Sequence, residues 1–93
     1  MLYKHITASG AVNVYQGLVK KAIVTVNGAI TGTLTISDET GTTGSPVVAI
    51  VTNPTVGTQY VYGGLTTGFT INPSTTVDIT VTLDISPSGA SGF

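Results

Sequence analysis

His5 is the lone histidine of the chain, so any serine–histidine–aspartate hydrolytic arrangement would have to use it as base. Serines and aspartates are present, but no Gly-x-Ser-x-Gly turn presents a nucleophile. The four carboxylates are Asp38, Glu39, Asp78 and Asp84, and there is no cysteine. That inventory cannot assemble three metal ligands locally. Asp78 and Asp84 share one face of an alternating segment, at a separation of ~20 Å for ~3.3 Å per residue. Paired glycosidase carboxylates need ~5 to ~9.5 Å, so this pair fails on distance. Asp38 and Glu39 are neighbours that point apart on an extended chain, and they open the turn Thr40-Gly41-Thr42-Thr43-Gly44. Calcium takes ~6 to ~8 oxygens, so two carboxylates here predict an Asp/Gly turn rather than a calcium loop. Gly63-Gly64-Leu65-Thr66-Thr67-Gly68 lacks the lysine and the following helix of a phosphate loop. The residue types predict a non-enzymatic protein with no catalytic residue, cofactor or metal.

Charge and the length of the apolar runs weigh against two partner classes. Three lysines (Lys4, Lys20, Lys21), no arginine and a net charge of −1 cannot form the basic stripe that neutralises several phosphates, so no nucleic acid is expected. The longest apolar run, Val47 to Val51, falls far short of the ~20 residues of a membrane-spanning helix. No apolar leader follows Met1, which together with the absence of cysteine predicts synthesis and folding in a cytoplasm. Apolar residues make up 41% of the chain and charged residues only 8%, against roughly a quarter in an average soluble domain. A monomer so poor in charge has little colloidal repulsion, which predicts that part of its surface lies against a partner.

The elements that must position these residues are strands. Val77 to Ile85 alternates without a break, with Val, Ile, Val, Leu and Ile inward and Asp78, Thr80, Thr82 and Asp84 outward. Thr33 to Ser37 repeats the pattern with Leu34 and Ile36 inward, and Ala22 to Val26 does so less cleanly, because Ile23 falls with Thr25. Pro46 to Val51 is continuously apolar, which predicts a strand covered on both faces. Shorter candidates are His5 to Ala8, Ala11 to Tyr15, Gln59 to Tyr62 and Phe69 to Ile71. Turns are expected at Ser9-Gly10, Asn27-Gly28, Gly41 to Gly44, Asn53-Pro54, Gly63-Gly64 and Asn72-Pro73. About eight short strands without any 3.6-residue period predict an all-β fold: a single antiparallel, jelly-roll-like β-sandwich. Its expected parts are an N-terminal strand or arm over residues 1–16, a sandwich core over 17–86 and a Gly/Ser-rich tail over 87–93.

Two features point to contacts rather than chemistry. Tyrosine offers area with one polar tip and often marks interfaces. The segment Met1 to Gly17, either a first hairpin or an arm onto a neighbouring subunit, and the tail ending in an aromatic, select Tyr3, Lys4, His5, Tyr15 and Phe93 as candidate partner contacts. Tyr60 and Tyr62 read instead as half-buried strand residues. Alternate threonines (Thr31, Thr33, Thr35; Thr80, Thr82) suit a solvated strand face better than an ice-binding one.

Several runs carry a resemblance. Gly17 to Asn27, Thr33 to Thr40 with its Gly-rich turn, Val48-Ala49-Ile50, and Gly68 to Asn72 followed by the strand from Val77 resemble small β-sandwich proteins of tailed bacteriophages. The likeness covers roughly residues 10 to 85, as an order of strands and turns. It implies a virion structural protein assembled in the host cytoplasm, foremost a capsid decoration or cement protein that stabilises the shell by binding across capsid subunits. The implied partners are the major capsid protein or other virion subunits, with a homo-oligomer, such as a trimer, expected. The alternative is a tail, fibre or adhesin module that recognises a surface glycan or protein. Against it stand the absence of tryptophan and loops at 38–46 and 52–59 that hold no aromatic.

Overall fold

A computed structural model describes residues 2–85. These fold into eight strands and no helix: β1 (Leu2–Ile6), β2 (Val12–Gln16), β3 (Val19–Val26), β4 (Thr33–Ser37), β5 (Val47–Thr52), β6 (Gln59–Leu65), β7 (Gly68–Pro73) and β8 (Ile79–Ile85). One four-stranded sheet has the order β1-β8-β3-β6 and the other β2-β7-β4-β5. Every pairing is antiparallel. The pairs β1·β8, β2·β7, β3·β6 and β4·β5 are nested along the chain and alternate between the sheets. β1 and β2 therefore lie in different sheets and do not form a first hairpin; each pairs within its own chain, with β8 and β7. The expected tail over 87–93, with Phe93, lies outside the described residues.

The core is made by the inward face of each sheet. Ala22, Val24, Val26, Ile79, Val81 and Leu83 come from the first sheet and Leu34, Ile36, Phe69 and Ile71 from the second, all with almost no solvent contact. Complete burial of one such side chain contributes ~1.5–3 kcal/mol relative to leaving it exposed, so these rows decide which face of each strand turns inward. The period-two face of β8 is realised, with Thr80, Thr82 and Asp84 turned out.

Three strand and turn boundaries depart from the sequence expectation. The first strand runs from Leu2 rather than His5, because register with β8 sets Ile6 against Ile79 and leaves Thr7 to accept from the Val77 N–H. Gly63-Gly64 is not a turn; β6 continues through both glycines to bury Leu65, and the reversal falls at Thr66-Thr67. Likewise Asn72-Pro73 ends β7, and the chain bends at Ser74. The untidy phase of β3 comes from a residue inserted between Val19 and Lys21 relative to β8. That bulge turns Val19 inward while Lys21 faces out.

The largest correction concerns β5. Its unbroken apolar run predicted cover on both faces, yet β5 is an outer strand of its sheet, paired with β4 alone, and Val47, Val48 and Ile50 are exposed. Composition reports what a strand tolerates around it, and it does not say whether this chain supplies the cover.

Candidate functional site

The sequence singled out Asp38 and Glu39, and the fold gives each a separate task. They follow β4 directly. Asp38 reaches the β6–β7 turn, where its carboxylate accepts the N–H groups of Thr66 (3.1 Å), Thr67 (2.8 Å) and Gly68 (3.0 Å) and the Thr66 hydroxyl (3.3 Å). Glu39 turns the other way and accepts from the Thr43 N–H and hydroxyl (both 2.8 Å) and the Gly44 N–H (2.6 Å). Desolvation pushes both carboxyls up. In Asp38 the donors Gly68, Thr66 and Thr67 outweigh it, and in Glu39 those of Thr43, Gly44 and Ser45 do, so both sit below the usual carboxylate range.

Beneath this loop lies a polar knot around the buried Thr70. Asn13 donates from Nδ2 to the Thr70 hydroxyl (2.9 Å) and the Glu39 carbonyl (3.0 Å). Thr70 in turn donates to the Gly41 carbonyl at 2.7 Å, and Gln16 donates to the Thr40 carbonyl at 3.1 Å. The loop after β4 is thus tied across the outer side of β7 and β2, which explains why the outward-facing Thr70 has almost no solvent contact. A shallow open cleft of about 380 Å³ remains, lined by Asp38, Glu39, Thr40, Thr43, Pro46 and Thr67 among others. Its acids already serve as loop acceptors, so the cleft offers hydroxyls and backbone but no free carboxylate pair. Among the described residues no three of His, Cys, Asp and Glu gather as metal ligands. No helix there is long and apolar enough to cross a membrane.

His5 stands on the outer strand β1, where its Nε2 meets Asp78 Oδ1 at 2.6 Å with both side chains half exposed. Asn27 donates to the same oxygen (3.4 Å) and to the Thr80 hydroxyl (2.9 Å). The His5 hydrogen bond is the main cause that holds Asp78 below its ordinary value, with Asn27 adding to it. Tyr3 sits two residues earlier on the same face and is 73% exposed, and Lys4 is exposed between them. Tyr15 is separated from them: a bulge in β2 between Asn13 and Tyr15 lets its ring pack on the core. Tyr60 and Tyr62 also pack against the core, and burial with the neighbouring Tyr60 raises the Tyr62 phenol. Tyr3 and His5 therefore share one face of β1 with Lys4 between them on the other, Tyr15 is set apart, and Phe93 lies outside the described residues.

Sequence reasoning missed a set of exposed apolar side chains. Val47, Val48 and Ile50 of β5, Val56 of the following connector and Val61 of β6 are all exposed. They lie within residues 40–77, a stretch with no Asp, Glu, Lys, Arg or His. That charge gap was the available signal, since an exposed strand usually carries a charge that discourages pairing. No family model, curated protein or solved structure matches the chain.

Proposed function

We propose that this protein is a non-enzymatic structural component of a bacteriophage virion, a decoration or cement protein that binds across subunits of the shell. The observation that carries the reading is the run of exposed apolar side chains on a charge-free stretch, Val47 to Val61, in a domain whose acids hold its own loops. Exposed apolar side chains concentrated on one outer strand, as Val47, Val48 and Ile50 are on β5, suit a protein that works against another surface. The nested strand orders β1-β8-β3-β6 and β2-β7-β4-β5 support the finer reading of the fold as a jelly roll, an architecture shared by capsid and lectin domains. That link to capsids is an analogy at the level of fold.

The mechanism is passive. A rigid sandwich that binds only the assembled shell stabilises it by linkage, and many symmetric copies let each contact be weak. Tyr3, Lys4 and His5 on the outer strand β1 are the proposed shell contact, joined by the tail with Phe93. The recognition-module alternative would use the hydroxyl-lined cleft beside Asp38, but that cleft has no aromatic platform and no free carboxylate.

Quantitative mass spectrometry of density-banded particles tests the reading. A copy number comparable with the major capsid protein is the expected result. A handful of copies would favour the tail or fibre module, and complete absence would overturn the virion assignment.

A further inference from the structure

We propose that β5 is a self-association edge, through which a second copy of this chain adds its own β5 antiparallel to form one continuous eight-stranded sheet. The inference starts from the same exposed β5 residues as the virion reading, but its contact needs only the chain itself, so dimerisation in solution tests it apart from any particle.

The four outer strands of the two sheets are β1, β6, β2 and β5, and among the described residues each has a strand neighbour on one side only. Such an edge invites another strand unless charge, a bulge or a glycine blunts it. β1 carries Lys4 and His5. β2 is interrupted at its middle by the bulge between Asn13 and Tyr15, leaving two short paired runs. β6 holds Gly63 and Gly64, with Gly64 at φ 70°, and exposes one large apolar residue, Val61. β5 has none of these devices along most of its length. Its bulge falls at its start, where Ile36 pairs with Ala49 and Ser37 with Val47, and Ala49 to Thr52 then run in unbroken register with β4. It also concentrates three exposed apolar residues, Val47, Val48 and Ile50, the last 61% exposed.

Charge selects the occupant. A twofold contact sets each residue of the edge against the same few residues of its mate, so a charged edge repels itself while a neutral one does not. β5 and the 40–77 stretch around it carry no Asp, Glu, Lys, Arg or His, whereas the β1 edge would bring lysine near lysine. A charged partner finds no complement on β5. A second β5 supplies matching apolar side chains and the extended backbone that the open edge lacks. Antiparallel pairing centred on Ile50 sets the two copies of that side chain opposite one another.

Sedimentation equilibrium of the full chain, over concentrations from about 1 to 200 µM, tests this with wild type, Ile50→Lys and Val61→Lys. Wild type should sediment at about twice the 9.4 kDa chain mass. Ile50→Lys, which places two unpaired ammonium groups at the contact, should raise the dimer Kd at least ~100-fold with an unchanged far-UV spectrum. Val61→Lys, on the β6 edge, should dimerise like wild type. Hydrogen exchange should show the amides of residues 49–52 more protected at high protein concentration than at low. A wild type that stays monomeric overturns the proposal. So does a dimer insensitive to Ile50→Lys, or one broken by Val61→Lys instead.

Discussion

Gly68→Ala should be among the most damaging single-methyl changes available to this protein. A Cβ at Gly68 would lie 2.5 Å from the Glu39 carbonyl oxygen and 2.5 Å from the Tyr15 carbonyl oxygen. Both are backbone atoms, one from the loop after β4 and one from β2, so neither can swing aside as a side chain would. Each would have to retreat by about 1 Å to reach van der Waals contact. The loop that would move is also the one that binds Asn13 and Thr70, and the Gly68 N–H itself donates to Asp38. Overpacking of this kind costs about 1–3 kcal/mol, and the two opposed backbone contacts place the change at the upper end. Replacing glycine by alanine stiffens the unfolded chain and returns about 0.4–1 kcal/mol, leaving a net loss near 2 kcal/mol or more. For a domain of this size that lowers Tm by roughly 10–15 °C.

Gly41→Ala supplies the control. Its Cβ would meet nothing nearer than Glu39 Oε1 at 3.7 Å, an ordinary contact. It should leave Tm unchanged or raise it slightly. Thermal unfolding followed by far-UV circular dichroism, with urea midpoints in parallel, measures both variants. A Gly68→Ala protein that melts within 2 °C of wild type, by the conversion used above, would refute the close approach of β2, β7 and the loop.

The carboxylates predict the acid limb of stability. Asp38, Glu39 and Asp78 are all held below their ordinary values of 3.8, 4.5 and 3.8. A group whose folded pKa is depressed contributes stability that is complete above its unfolded pKa and fades as pH falls through the folded one. Their contribution should therefore be full above pH ~5 and decline progressively below ~4, read as a falling urea midpoint. Asp38→Asn with Asp78→Asn should flatten that decline, and a midpoint that rises between pH 5 and 3 would contradict the assignment. Asn13→Ala removes the donor shared by Thr70 and the Glu39 carbonyl, at a cost of about 1–3 kcal/mol. It should also speed hydrogen exchange at the Thr43 and Gly44 amides, and unchanged exchange there would show that Asn13 does not hold the loop.

The parts of this fold that were legible in the sequence are those fixed by local pattern. β8 and β4 alternate cleanly because each has one buried and one open face, and Leu34, Ile36, Ile79, Val81 and Leu83 are buried as their spacing requires. β3 reads poorly because the residue inserted after Val19 resets its phase, and the reason for that insertion lies in β8, some sixty residues away. The glycines of β6 look like a turn because a turn and an edge strand both accept glycine. The turn after β4 was legible as an Asp/Gly reversal, since Asp38 and Glu39 stand beside it. That Asp38 caps the β6–β7 turn was not, because Thr66 to Gly68 reach it only through the pairing of β4 with β7.

Unequal protection of the edges bears on whether this chain can hold two partners at once. β1 and β5 lie at the margins of different sheets, so occupying one leaves the backbone of the other free. The β1 margin, with Tyr3, Lys4 and His5, is polar enough to stay open in solution and to meet a surface of different chemistry. β5, uncharged and apolar, is suited to its own copy. Under the two proposals made above, a pair joined through β5 would carry two β1 margins, and the second would bind a shell at an effective concentration set by the geometry of the pair. Such linkage raises avidity by ~10²–10⁴ without any new contact, which lets each β1 contact remain weak. Breaking β5 pairing should therefore release the protein from particles even though the proposed shell contact lies on β1. Loss of the dimer with undiminished occupancy would separate the two surfaces and leave β1 to hold the shell alone.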